Sequence, residues 1–133
     1  MERVQTGIMG KLNSYKELLV WQKSMELVEE IYKLTAEFPK SEIYGLVNQM
    51  RRAAVAIPSN IAEGYKRQHL PEYIQFLFVA NSSAAELETQ IIISSKLEQT
   101  KHLDYSKAVS LLNEVMSMLH VLIQSLRSKR TVP

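Results

Sequence analysis

The chain has 133 residues, no cysteine, and 16 basic against 14 acidic side chains, for a formal net charge of +2. That length suits one domain around one core, and the missing cysteines exclude disulfides, thiolate metal sites and cysteine nucleophiles. A balance this close to neutral permits nucleic acid as a partner without requiring it, so the placement of the charges matters more than their sum.

Residues 1–13 hold two glycines and no sustained apolar period, which predicts a flexible N-terminal arm, with the fold over 14–128 and a basic C-terminal tail over 129–133. Helix one is expected to begin near Ser14 and to carry a stripe of Leu18, Trp21, Met25, Val28, Tyr32 and Thr35, widened by Leu27, Ile31 and Leu34. Phe38-Pro39 ends it, because the residue before a proline avoids the helical region. Ser41 is expected to cap helix two. There, Ile43, Val47, Met50, Ala54, Ile57 and Ile61 alternate steps of four and three, the seam of a packed helix.

Pro58 falls inside that pattern. It removes one backbone donor and crowds the carbonyl of Ala54, so a kinked helix is expected, with Ser59 and Asn60 side chains, or a water they hold, serving the freed carbonyl. Gly64 is expected to stop the helix in a left-handed conformation. A polar link, Tyr65 to His69, leads to Pro71 and Glu72, which suit the first turn of helix three. Helix three runs to about Leu97, and its run of small residues from Ala80 to Ala85 reads as tight packing rather than as a polar site at Asn81, Ser82 and Ser83. Helix four, capped by Asp104 or Ser106, places Tyr105, Ala108, Leu112, Val115, Leu119, Leu122 and Leu126 at heptad steps, with Val109, Leu111, Met116, Met118 and Ile123 beside them.

Four helices with short links imply an all-α, antiparallel up-down-up-down four-helix bundle. The surplus apolar surface of helix four, with Tyr73, Phe76 and Phe78 on helix three, predicts contacts between subunits. The longest apolar runs fall short of the ~20 residues that span a bilayer, and no signal peptide is legible, so a soluble cytoplasmic protein without membrane contact is expected.

Several separated motifs carry a resemblance over 15–127. Ala56-Ile57-Pro58-Ser59-Asn60-Ile61-Ala62-Glu63-Gly64, Gln49 with Arg51-Arg52 before it, Phe38 to Leu46, Ala84 to Gln90, and Trp21 together resemble the four-helix-bundle family named for proteins encoded in intervening sequences of bacterial 23S ribosomal RNA genes. The resemblance implies a homopentamer and a structural motif of Pro58, Ser59, Asn60, Glu63 and Gly64. The accessory variability protein of diversity-generating retroelements is similar in architecture, and that more distant likeness implies a role holding a reverse transcriptase and its RNA.

In an antiparallel bundle the start of helix one, the end of helix two, the start of helix three and the end of helix four gather at one end. Lys11, Lys16, Lys66, Arg67, Arg127, Lys129 and Arg130 outnumber Glu17, Glu63 and Glu72 there, with His69 available on protonation. Repeated round an oligomer, such a basic pole suits a phosphate backbone, and Tyr65 before Lys66 suits an unpaired base. Arg52 points away from the helix-two seam and joins the binding candidates, whereas Arg51 reads as an ion-pair partner of Glu86 or Glu88.

Catalysis finds little support. Bundle metal sites use Glu-x-x-His pairs on facing helices, and no such pair is present; His69, His102 and His120 lack ligand neighbours in sequence. Ser59, Asn60 and Glu63 lack a histidine base. Glycine-rich phosphate loops are missing. The expected function is therefore non-enzymatic binding of nucleic acid, RNA in particular, without cofactor or metal; a protein-interaction scaffold is the alternative.

Overall fold

The computed structural model describes residues 14–131, excepting the side chains of Ile43, Arg130 and Thr131. The expectations for the 1–13 arm, for Lys11 and for the Arg130 side chain lie outside the described residues. Four helices, α1 (Leu19–Thr35), α2 (Asn48–Tyr65), α3 (Leu70–Lys96) and α4 (Ser106–Thr131), form an all-α bundle. Each packs on its chain neighbours, and α1 also packs on α4; the most extensive contact joins α2 and α3.

On α4 the expected stripe is the buried face: Ala108, Leu112, Val115, Leu119, Leu122 and Leu126 all sit in the core, as does Tyr105 just before the helix. Each leucine so buried contributes about 1.5–3 kcal/mol by removal of apolar surface from water. The segment Ser106–Lys129 is long and apolar enough, by length and composition, to cross a membrane. Part of that apolarity is the stripe facing the other helices, while Val109 and Val121, with Lys107, Glu114, His120 and Arg127, stand exposed on the same helix.

On α1 the stripe is rotated from the expected one. Leu18 and Thr35 of the expected stripe are buried, as are Val20, Leu27, Ile31 and Leu34, whereas Met25 and Tyr32 are exposed and Trp21 and Val28 half-buried. The residues expected only to widen the stripe are its centre, because α2 and α4 approach α1 from that side of a broad apolar arc. Before α1, a short 3-10 turn over Tyr15–Glu17 is capped by the Ser14 hydroxyl, which accepts from the Lys16 N–H at 3.0 Å.

Ser41 does not cap helix two. A 3-10 turn over Lys40–Glu42 passes into a single π turn over Ile43–Val47, where the Glu42 carboxylate accepts from the Leu46 N–H at 3.3 Å. Gly45, at φ −108° and ψ −110°, leaves the helical path, and regular α-helix starts only at Asn48. From there Val47, Met50, Ala54, Ile57 and Ile61 are buried in the spacing expected.

The helix continues through Pro58 to Tyr65. Asn60 serves a different carbonyl from the one expected: its Nδ2 donates to the Ala56 backbone carbonyl oxygen at 2.8 Å rather than to the Ala54 carbonyl. Gly64 is not a left-handed stop either. It lies inside α2, buried, and a Cβ built on it would stand 2.8 Å from Phe76 Cβ, 3.1 Å from Tyr73 Cδ1 and 3.2 Å from the Tyr73 carbonyl oxygen. The glycine is there because α3 passes too close for a side chain. Helix α2 instead closes with the Lys66 N–H on the Ala62 carbonyl and the Arg67 N–H on the Gly64 carbonyl.

Within α3, Ala80 and Ala84 are buried, while Ser82 and Ala85 are exposed. Tyr73, expected at a subunit contact, belongs to the core at 7% exposure; Phe76 is half-buried and Phe78 exposed. The α3–α4 link is held by side chains, with the Thr100 hydroxyl donating to the Ser94 carbonyl at 2.7 Å and the Tyr105 hydroxyl to the Thr100 carbonyl at 2.9 Å. Asp104 accepts from both the Ser106 N–H and the Ser106 hydroxyl, at 3.0 and 2.7 Å, which lowers its pKa.

Candidate nucleic-acid interface

The link after α2 brings aromatic and basic side chains together. Tyr15, Tyr65 and Tyr73 form an edge-to-face chain: ring centroids of Tyr15 and Tyr65 are 6.5 Å apart, those of Tyr65 and Tyr73 6.0 Å, and Trp21 extends the chain at 5.5 Å from Tyr15. Such geometry aligns the positive ring edge with the negative face. Two recesses flank it. One, of about 450 Å³, is lined by Tyr65, Arg67, Gln68, His69, Leu70, Tyr73 and Lys129. The other, of about 650 Å³, is lined by Tyr15, Ser59, Ala62, Glu63, Lys66 and Arg67.

Lys66, Arg67 and Lys129, three of the expected binding residues, therefore share one region, and Lys16 stands exposed beside Tyr15. Arg67 lies between the two recesses. Its guanidinium donates to the Glu63 carboxylate at 3.2 Å and sits 4.7 Å above the Phe76 ring, so part of its charge is already answered. Arg127 rests on the next aromatic of α3, 5.7 Å from the Phe78 ring centre. Glu63 thus acts as the positioning partner of Arg67.

Arg52 stands apart. Fourteen residues of α-helix separate it from Lys66, about 21 Å at the α-helical rise. It is exposed beside Tyr44, Asn48, Gln49 and Glu86, and Tyr44 is itself 93% exposed. Arg51 does not pair with Glu86 or Glu88. Its Nε donates to Thr35 Oγ1 at 2.8 Å, its terminal nitrogen to the Tyr32 carbonyl at 3.3 Å, and its guanidinium lies 4.4 Å from the Tyr32 ring centre. A cation at the C-terminal end of α1 meets the negative pole of that helix and its last carbonyls.

Sequence reading overlooked Tyr15 and Tyr73 as members of this region. A signal for the first was present: Tyr15-Lys16 and Tyr65-Lys66 are two copies of one aromatic–basic pair, each at a helix end. Tyr73 carries no such signal. Burial raises its hydroxyl pKa far above that of a free phenol, with Tyr65 adding to the shift, and among the described residues none is hydrogen-bonded to the hydroxyl. Among the described residues, no three or more histidine or acidic side chains gather as metal ligands.

Comparison with known proteins places the chain in a family. The model of the 23S rRNA-intervening sequence protein family matches residues 16–121, and the chain belongs to that family. A search of curated proteins finds no match. The matched stretch includes Lys16, Arg52, Tyr65, Lys66 and Arg67 and ends before Arg127 and Lys129.

Proposed function

We propose that this member of the 23S rRNA-intervening sequence protein family is a non-enzymatic RNA-binding protein that works as a ring of identical up-down-up-down bundles. The observation carrying this reading is the convergence of Lys66, Arg67 and Lys129 with Tyr65 around one pair of recesses. Contacts at both ends support the antiparallel path. Tyr15, Tyr65, Tyr73 and Lys129 meet at one, while Arg51 meets Thr35, and Ser94 approaches Met50, toward the other. Exposed Phe78, Val79, Ile92 and Ile93 on α3, with Val109 and Val121 on α4, supply apolar surface for contact between copies. Five copies is the number the family resemblance implies.

Chemically, the lysines replace counterions along a phosphate backbone, and release of those ions drives association. Each phosphate neutralised on a single strand adds a slope of about −0.7 in log affinity against log salt. Fluorescence anisotropy of labelled RNA across a salt series, with the assembly mass followed by light scattering, should give a slope of about −2 per copy engaged if Lys66, Arg67 and Lys129 each meet one phosphate. Reversing Lys66, Arg67, Lys129 and Arg130 to Glu should abolish binding with the helical spectrum and assembly mass unchanged; retained binding would sink the basic-pole reading.

A protein-interaction scaffold is the second reading, favoured by Tyr44, a large aromatic side chain that is almost wholly exposed. An assembled protein that binds no RNA at any salt concentration would select it.

A further inference from the structure

We infer that copies of this chain join head to tail, the outer face of α3 in one copy seated along the partly exposed face of α1 in the next. This pairing rests on the ring reading proposed above and names the two surfaces that would close the ring. A ring of identical copies needs two different, matching patches on each copy, because a heterologous contact repeats by rotation.

One patch is the α1 stripe that the core does not absorb. Trp21, Met25, Val28 and Tyr32 follow steps of four, three and four, yet Met25 and Tyr32 are 38% and 43% exposed, and Trp21 and Val28 are only half-buried. With Val55, Pro58 and Ala62 of α2 they line a shallow apolar trough. The other patch lies on α3, where Phe78, Ser82, Ala85 and Thr89 are all exposed and follow the same steps, with exposed Ile92 three residues further on. Seams of this spacing bury themselves against one another in helix pairs.

Height, size and charge match the two patches. Trp21 and Ala62 line one recess, and Gly64 lies against Phe76 where α2 and α3 cross. Two residues further along each of these antiparallel helices, Ala62 and Phe78 therefore stand level. Toward the other end Tyr32 meets Arg51, and Arg52 shares a recess with Glu86. Copies side by side with their basic ends together thus bring Met25 opposite Ser82, Val28 opposite Ala85 and Tyr32 opposite Thr89 without sliding. Large side chains of α1 then face small ones of α3, as close packing requires. Arg51 and Arg52 line the Tyr32 end of the trough, and Glu86 and Glu88 flank the α3 seam at that height, so opposite charges favour the same register.

The absence of cysteine from the chain allows a direct test. Met25→Cys and Ser82→Cys both fall at exposed positions, on helices that are not neighbours within one copy. A disulfide between them needs Cα atoms within ~7 Å. After mild oxidation, the double variant should run as a ladder of covalent multimers on a non-reducing gel, an equal mixture of the two single variants should stop at dimers, and each single variant alone should stay monomeric. Dimers from a single variant would mean like face on like face, and an assembled double variant without links would mean other surfaces; either result overturns the pairing. Light scattering separates the deeper failure: an assembled mass without the 25–82 link leaves the ring standing, whereas a monomeric mass for the parent removes ring and pairing together. Ala85→Arg, also at an exposed position, should dissociate the assembly with the helical spectrum unchanged, and an unchanged mass would overturn the pairing as well.

Discussion

Replacing Gly64 tests the closest approach in the bundle. An alanine there would gain about 1 kcal/mol from helix propensity, since glycine is the costlier residue in a helix interior. Against that gain stands a Cβ 2.8 Å from Phe76 Cβ and 3.2 Å from the Tyr73 carbonyl oxygen, neither of them the end of a flexible side chain. Relief requires α2 and α3 to separate, and overpacking of this kind costs about 1–3 kcal/mol. Steric cost wins, with Gly64→Ala net destabilising by about 1 kcal/mol, or a fall of about 4 °C in Tm. Gly64→Asn gains less in propensity and inserts a larger group, so it should lose about 2–3 kcal/mol. The order is the diagnostic. A left-handed stop would tolerate asparagine better than alanine, whereas a helix crossing tolerates alanine better. Urea unfolding of the two variants, followed by far-UV circular dichroism, reads the order directly, and an asparagine variant as stable as the alanine one would refute the crossing.

Arg51→Ala should cost about 1–2 kcal/mol, because it removes bonds to Thr35 Oγ1 and the Tyr32 carbonyl and the contact with the Tyr32 ring. Arg52→Ala, on the exposed side of the same helix, should stay within about 0.5 kcal/mol of the parent; equal denaturation midpoints for the two variants would contradict these assignments. Asp104→Ala should lower Tm at neutral pH. The folded-state pKa of Asp104 lies below its ordinary 3.8, so its contribution is present above that value and disappears as pH falls through the folded-state one. Thermal melts carried into the acid range should show the deficit closing, and a deficit that persists in strong acid would show that the Ser106 bonds do not need the carboxylate charge.

Helix existence was legible because apolar periodicity is a property of the chain alone. On α4 the buried Ala108, Leu112, Val115, Leu119, Leu122 and Leu126 follow directly from their heptad steps, and Leu111 and Ile123 are buried beside them. Orientation was less so. On α1 the period marks a broad apolar arc that includes both Trp21 and Leu27, and only the neighbouring helices decide that Leu27 faces inward and Trp21 lies at the edge. Gly64 shows the same division: one residue type serves a left-handed turn or a close approach, and the choice is made by Tyr73 and Phe76 on another helix. Arg51 extends it to charge. Reading opposite charges in sequence favours Glu86 or Glu88, yet the fold offers Arg51 the carbonyl end of α1 and the Thr35 hydroxyl, partners without formal charge.

The candidate site divides along the same line. Lys66 and Arg67 were legible because a helix end followed by a polar link exposes whatever it carries. Tyr73 was not, because tyrosine at an apolar position of a helix reads as core, and core is where its ring lies. Only the surroundings show that its ring packs edge-on against Tyr65, 6.0 Å away. Phosphate binding of low selectivity can thus be written in exposed charge, while the aromatic packing that holds the link beside that charge is decided by the fold. On that argument charge reversal at Lys66 should weaken paired and unpaired RNA alike in an anisotropy titration, and a loss confined to one of the two would refute a site written in exposed charge.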